Sequence, residues 1–392
     1  DIADTQSICV ENSGKSNEVS NCTCPEPEKP LDPVLKKQID DFRHELELNY
    51  SDVITNKIGK LKSYEHRITL LDNLPVRNPP FPLSREKQRE LDVEIDKLIA
   101  EGVVEECSSP YASPCFLRDK KTGDKRLVVC YTGTNSKIKF DSFPSPLTED
   151  CLSSLSNSCW LSSCDLKSAF FQVPIHPDSR DITAFVTPTR QLRFCRVPAG
   201  LCIGTGILGR VMSNLLKDYR GKGIELFHDD VLIYAKSVEE NIRLVQIFLQ
   251  ICRENGLTIS PSKSKFLVNS INYLGFVIER HHLKMSDDRI SAITHLQPPK
   301  NRKGLLRILG LFQYFSRFYP MYQHAAAPLN DLRSPKTKFI WTSQHQQAFE
   351  DLKQGFLDYV VLKLPDLDKP FVLQTDASSK ALGAVLLQED SG

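Results

Sequence analysis

The sequence predicts an α+β fold, a small and mostly antiparallel sheet backed by helices. Three observations carry that expectation. In mid-chain, Gly223-Ile224-Glu225-Leu226 and Val231-Leu232-Ile233-Tyr234 flank Phe227-His228-Asp229-Asp230 in the pattern strand, tight turn, strand. Directly after it, Ser237-Val238-Glu239-Glu240 fits a capping box and opens an amphipathic helix. Further on, residues 287–357 read mostly as helices.

The elements follow in order. Residues 1–35 are polar and rich in Ser, Asn, Glu and Pro, which predicts a linker or disordered arm. Residues 36–82 form an extension that ends on the break Pro79-Pro80-Phe81-Pro82. A helix over about 85–101 stacks Leu91, Ile95, Leu98 and Ile99 on one face and stops at Gly102. β-type runs at 111–117 and 126–131 are joined by a polar, basic connection, which predicts a hairpin. A helix over about 148–159 precedes a strand at 160–164 that ends on Asp165. The capped helix turns Ile242, Val245, Phe248, Leu249 and Cys252 inward and ends at Gly256. Strands are expected at 257–260 and 273–278, and a last one at 371–376. No internal repeat is visible.

At 392 residues the chain predicts two or three domains. Its 40% hydrophobic and 25% charged content is ordinary for a globular protein, and 50 basic against 49 acidic residues predict no partner in bulk. The distribution says more: residues 300–338 hold eight basic side chains and one acidic, a face suited to a polyanion or simply to water. The 12 cysteines show no Cys-x-x-Cys pair or Cys/His ladder, so free thiols in a reducing compartment are expected. No signal peptide or long apolar run is present, so no membrane partner is expected. The chain begins with Asp1, and a fragment or processed product is expected.

Neighbouring carboxylates repel, so a cation beside Asp229 and Asp230 would offset the cost of ionising both. A third carboxylate, Asp165, ends its own strand 64 positions before Asp229. Three carboxylates on adjacent strands suit two magnesium ions roughly 3.5–4 Å apart, the arrangement for in-line phosphoryl transfer.

Asp165-Leu166-Lys167-Ser168-Ala169-Phe170 and Phe227-His228-Asp229-Asp230 resemble the two metal-binding motifs of reverse transcriptases. Their order and spacing resemble the gypsy class of long-terminal-repeat retrotransposons. The resemblance runs from about Tyr50 to the end, through Glu65-His66-Arg67-Ile68, Ser108-Ser109-Pro110-Tyr111-Ala112-Ser113-Pro114, Tyr273-Leu274-Gly275-Phe276 and the thumb-like run from Leu309 to Phe318. It implies a right-hand polymerase fold: fingers and palm over 83–285, a helical thumb over 286–345, and over 346–392 a tether with the start of a truncated ribonuclease H-like domain. It implies an RNA-directed DNA polymerase that extends a primer with deoxynucleotides by two-metal-ion transfer, using magnesium, with manganese as an alternative.

By the same resemblance, Asp165, Asp229 and Asp230 are catalytic metal ligands, joined by the Leu166 carbonyl. Arg126 and Lys121, or Lys120 in its place, grip the triphosphate. Ala169 and Phe170 line the nucleotide site, and the Phe170 ring excludes a 2′-hydroxyl. Gly200 lets the backbone approach nucleotide and template, Lys263 assists the departing pyrophosphate, and Leu274-Gly275 holds the primer end. Asp376 matches the first ribonuclease H ligand; the later ones would lie beyond Gly392, so that activity is not expected. Template–primer, deoxynucleotides and other Pol polyprotein segments are the implied partners, in a cytoplasmic virus-like particle or the nucleus.

The chain departs from the family pattern in places. Cys130-Tyr131-Thr132 stands where Asp-Tyr-Arg is usual, and Phe227 replaces a Tyr. The stretch from Gly200 to Arg210 carries extra glycines, each costing roughly 1 kcal/mol inside a helix. They predict a loosened template-facing helix. Gly204-Thr205-Gly206-Ile207-Leu208-Gly209 also fits a dinucleotide-binding fingerprint, but Pro198-Ala199-Gly200 interrupts the strand that motif requires. The rival to an active polymerase is a degenerate or domesticated retroelement protein that binds nucleic acid without catalysis.

Overall fold

A computed structural model describes residues 32–392 except 120–122, 124, 145, 157, 280–281, 320, 359–360, 366–368, 378–381 and 389–392. Of the linker or disordered arm predicted over residues 1–35, residues 1–31 lie outside them, and residues 33–35 belong to a helix instead. Two compact units form, one of residues 31–154 with 160–268, the other of 155–159 with 269–392.

The first unit opens with α1 (Pro33–Asn49), a helix the sequence reading did not anticipate. Asp32 caps it by accepting from the Val34 N–H, and Ile39, Phe42 and Leu46 are its buried residues. α2 (Arg85–Ala100) starts where expected, with Ser84 as cap, and buries Leu91, Ile95 and Leu98. Next come β1 (Val104–Glu106), β2 (Ser113–Asp119), β3 (Lys125–Val129), α3 (Thr132–Asn135), α4 (Thr148–Ser153) and β4 (Trp160–Asp165). β5 (Phe185–Val186), β6 (Gln191–Phe194), α5 (Gly204–Leu215), β7 (Ile224–Phe227), β8 (Asp230–Ala235), α6 (Val238–Asn255) and β9 (Lys265–Val268) complete the unit. One sheet has the order β1-β6-β5-β2-β3, and β2–β3 is the expected basic hairpin. The other, β7-β8-β4-β9, is antiparallel throughout.

Val231, Leu232 and Ile233 of β8 are all fully buried, so this strand is covered on both faces. The capping box is real: Ser237 accepts from the Glu240 N–H, and the Glu240 carboxylate reaches back to the Lys236 N–H. α6 turns in Leu244 where Ile242 was expected; Ile242 is only half-buried. It ends on Gly256 at φ 72°, the left-handed cap glycine supplies without strain. Behind the sheet, the buried Asn241 accepts from the Ser162 hydroxyl at 2.7 Å and donates to the Trp160 carbonyl at 3.0 Å.

Two expectations fail here. α4 stops at Ser153, six residues early, because Ser153 and Ser154 turn their hydroxyls onto the carbonyls of Asp150 and Cys151. Such local bonds compete with helix propagation. Residues 257–260 form no strand; Ile259 makes single bridges to Ile54 and Leu166.

The second unit holds β10 (Ser270–Tyr273), β11 (Phe276–Glu279), β12 (His282–Met285), α7 (Asp287–Thr294), α8 (Arg302–Tyr314), α9 (Tyr322–Asn330), α10 (Ser343–Asp358), β13 (Val361–Lys363), β14 (Val372–Ala377) and β15 (Leu382–Leu387). Instead of one strand at 273–278, the chain turns at Leu274 and Gly275, whose φ values of 54° and 84° suit a two-residue hairpin turn. The core of this unit is aromatic: Phe276 packs on Tyr314, Phe315 and Phe318, and Phe312 stacks on Phe356 at 5.1 Å.

Candidate active site

The antiparallel ladder between β4 and β8 places Asp165 directly opposite Asp230. Directly opposed residues hold their Cβ atoms roughly 4.5–5.5 Å apart, and like charges there destabilise a sheet. Asp229 joins them from the two-residue turn between β7 and β8, whose first residue, His228, stands at φ 57°. Phe227 meets the His228 ring edge-on at 4.6 Å, which fixes the tip.

Asp230 is exposed at the tip of the hairpin, with its carboxyl partly desolvated by the protein around it. That desolvation, with Asp229 and Asp165 beside it, pushes the carboxyl up to about 6, against weaker relief from Lys263 and His228. Asp165 is held by its surroundings: the Lys263 ammonium lies 3.2 Å from its carboxylate, and its N–H donates to the Ser264 hydroxyl at 3.3 Å. Lys263 is itself mostly exposed, so the pair is weak as a stabilising contact. Among the described residues, no three His, Cys, Asp or Glu side chains converge as a preformed cage around an ion.

The segment after Asp165 runs along the site. Leu166 and Ala169 are buried, and Phe170 is half-buried against the core. Ser168 takes a left-handed φ of 48°, strain that no sequence motif announced. α5 is formed in full, contrary to the loosening its glycines predicted. A Cβ on Gly204 would stand 3.4 Å from the Phe170 ring, one on Gly206 3.4 Å from the Asp141 carbonyl, and one on Gly209 3.2 Å from the Phe143 ring. The glycines let the helix approach its neighbours closely. Before α5 lie β6 and a turn rather than a strand ending on Gly204, so no dinucleotide-binding unit exists there.

Gly200 adopts φ 103°, a conformation reserved for glycine, and its carbonyl accepts from Asn135 at 2.9 Å. Arg126 is exposed on β3, opposite Arg118. Lys120 and Lys121 lie outside the described residues. Leu274 and Gly275 form the β10–β11 turn of the second unit, where the Leu274 carbonyl accepts from the Tyr314 hydroxyl at 2.8 Å. Asp376 sits on β14 in register with Gly383 of β15. The sequence reading missed a cavity of about 330 Å³ between residues 140–146, α5 and the hairpin tip, lined by Phe143, Gly206, Gly209 and His228. Arg210 fixes its wall, bonding Asp141 at 2.7 Å and covering the Phe143 ring.

An antiparallel sheet backed by helices carries a carboxylate at the end of one strand and a carboxylate pair at the neighbouring hairpin, the layout of a right-hand polymerase fold. The family model described as "Reverse transcriptase (RNA-dependent DNA polymerase)" matches residues 118–278, and one described as "RNase H-like domain found in reverse transcriptase" matches 341–392. The chain carries a reverse transcriptase domain and an RNase H-like segment, and its homologues are retrotransposon Pol polyproteins.

Similar chains include the retrovirus-related Pol polyproteins from transposons opus and 412 of Drosophila melanogaster, 29% and 30% identical over 84% of this chain. The transposon Tf2-7 polyprotein of Schizosaccharomyces pombe is 29% identical over 91% of it. The chain spans 34%, 27% and 27% of those three relatives, about a third of their length or less. Among solved structures, a foamy viral protease-reverse transcriptase in complex with double-stranded DNA superposes with a TM-score of 0.81 at 24% identity. That match covers 91% of this chain and 63% of the other. The same type of protein in complex with an RNA/DNA hybrid gives a TM-score of 0.75 at 23% identity, over 92% and 51%. Both likenesses show the polymerase fold.

Proposed function

We propose that this chain is an RNA-directed DNA polymerase that extends a primer on an RNA or DNA template. The observation that carries the reading is the Asp165–Asp230 cross-strand pair, with Asp229 at the adjoining turn. A sheet gains nothing from opposing two carboxylates; a site for cations does. The donor set fits hard divalent ions, magnesium or manganese, held by Asp165, Asp229, Asp230 and the Leu166 carbonyl. Such ions supply activation of the attacking 3′-hydroxyl and neutralisation of the leaving pyrophosphate.

The chain's own residues do the rest. The Phe170 ring lies beneath the nucleotide sugar and rejects a 2′-hydroxyl, with Ala169 leaving room beside it. Arg126 and a lysine of the β2–β3 connection, Lys121 or Lys120, hold the triphosphate. Lys263, mostly exposed and beside Asp165, delivers a proton to the departing pyrophosphate. Gly200 brings the backbone to the template, and Leu274-Gly275 holds the primer end. We assign fingers and palm to residues 83–285, the thumb to 286–345, and the tether and ribonuclease H-like segment, with Asp376 as its first ligand, to 346–392. Lys300, Lys303, Arg307, Lys336 and Lys338 are all exposed and would follow the nucleic-acid backbone.

The test is extension of a primed poly-RNA template with magnesium and deoxynucleotides, beside an Asp229→Asn, Asp230→Asn variant. Synthesis by the natural protein, lost in the variant, is expected. Template binding without synthesis in either protein would establish the non-catalytic, nucleic-acid-binding reading instead.

A further inference from the structure

The turn after Asp165 is strained and yet firmly held. Ser168, at φ 48°, is in a conformation that persists only where neighbours over-determine it. Gln172, fully buried, is the clamp. Its amide nitrogen donates to the carbonyls of Lys167 and Thr258, both at 2.8 Å, and its amide oxygen accepts from the Thr258 N–H at 2.8 Å. Both donors and the acceptor are therefore engaged. Its backbone carbonyl also accepts from the Leu61 N–H at 2.8 Å.

A second hold comes from Arg196, only 7% exposed, whose guanidinium donates to the Phe171 carbonyl at 3.0 Å and the Gly59 carbonyl at 2.6 Å. The backbone is thus tied on both sides of Phe170, at Lys167 before it and at Phe171 after it.

We infer that Gln172 is a positioning residue that sets the stance of the Phe170 ring, and so the discrimination between deoxynucleotides and ribonucleotides. The inference rests on the polymerase reading above. Gln172 touches no substrate: it lies beneath the turn, and the turn carries Phe170. Without the amide, the Lys167 carbonyl loses its side-chain donor and the Thr258 N–H its acceptor, the Thr258 carbonyl keeps the Lys167 N–H at 3.0 Å, and the strained turn loses the side-chain tie that holds it.

The test measures kcat/KM for a deoxynucleotide and for its ribonucleotide on a primed RNA template, together with melting temperature. Gln172→Met keeps length and volume and removes all three side-chain bonds; Gln172→Glu keeps the acceptor and loses both donors at neutral pH. In each, the preference for deoxynucleotides is expected to fall by about tenfold or more, since small misplacements in a site carry large rate effects. Thr258→Val is the comparison, because the Thr258 hydroxyl bonds only the 57–59 segment, through the Lys57 carbonyl and the Gly59 N–H. It should lower the melting temperature and keep the natural preference.

Folded, active Gln172 variants with unchanged preference overturn the inference, as does an equal loss in Thr258→Val. Failure of both Gln172 variants to fold would make the residue purely structural and also overturn it. A natural protein that makes no product would sink the polymerase reading itself, an outcome distinct from an active enzyme with unaltered variants.

Discussion

Burial and two carboxylate neighbours disfavour the charge of Asp230 and push its carboxyl up to about 6 from the ordinary 3.8. The folded protein therefore binds this proton more tightly than the unfolded chain does. Stability in the absence of metal should fall as pH rises from about 4 to about 6 and then level off. Asp230→Asn removes that loss. With chelator present it should gain about 1 kcal/mol over the natural protein at pH 7 and nothing near pH 4, after allowance for solvent screening. Thermal melts at the two pH values check this. Saturating magnesium should raise the melting temperature of the natural protein and leave the Asp229→Asn, Asp230→Asn double variant unmoved. For Phe170, replacement by Val should raise ribonucleotide incorporation by about tenfold or more while deoxynucleotide use changes less, in single-nucleotide extension assays.

Glycines in α5 illustrate where element-level reading from sequence reaches its limit. Propensity alone marks Gly204, Gly206 and Gly209 as weaknesses, and a propensity scale contains no information about what faces the helix. Phe170, Asp141 and Phe143 do face it, at distances that leave little room for a side chain. Gly209→Ala, pressed to 3.2 Å from the Phe143 ring, should gain less stability than Gly206→Ala, which gains at most about 1 kcal/mol. Gly200→Ala, at φ 103°, should cost about 1–2 kcal/mol. Chemical denaturation of the three variants ranks them.

The hairpin, α2, α6 with its capping box, and β4 ending on Asp165 were all legible, because each is written in local periodicity and local caps. α1 was missed, since its three buried residues sit among many charges. At Leu274-Gly275 a hairpin turn was legible as an alternative from the glycine, but the left-handed backbone at Leu274 was not, because Leu gives no sign of it. The Asp165–Asp230 pairing joins positions 65 apart: strand reading grouped the carboxylates on adjacent strands, but the register that opposes these two is set by long-range pairing that no local signal carries.

At the scale of the molecule, a net charge of +1 hides an uneven surface. Of the eight basic residues between 300 and 338, Arg302 bonds the Leu332 and Thr337 carbonyls, and Arg317 lies over the Phe276 ring. Both serve the second unit's own structure. The proposed contact with nucleic acid rests on the exposed remainder. Template–primer binding should weaken steeply with salt, and Lys303→Ala with Arg307→Ala should flatten the log–log slope by about 1 to 2. Filter binding at several salt concentrations measures it, and a salt-insensitive affinity would remove these residues from the interface.

The ladder between β4 and β8 has a further consequence. Side chains alternate faces along a strand, so a shift of one position would turn Asp165 or Asp230 to the opposite face, away from its partner. Substitutions around the tip leave that parity intact, whereas a one-residue insertion or deletion between Phe227 and Asp230 inverts it. Such a change abolishes the site at a stroke, however conservative its chemistry. Sequence drift that spares the length of this hairpin therefore leaves the register of the three carboxylates as it is.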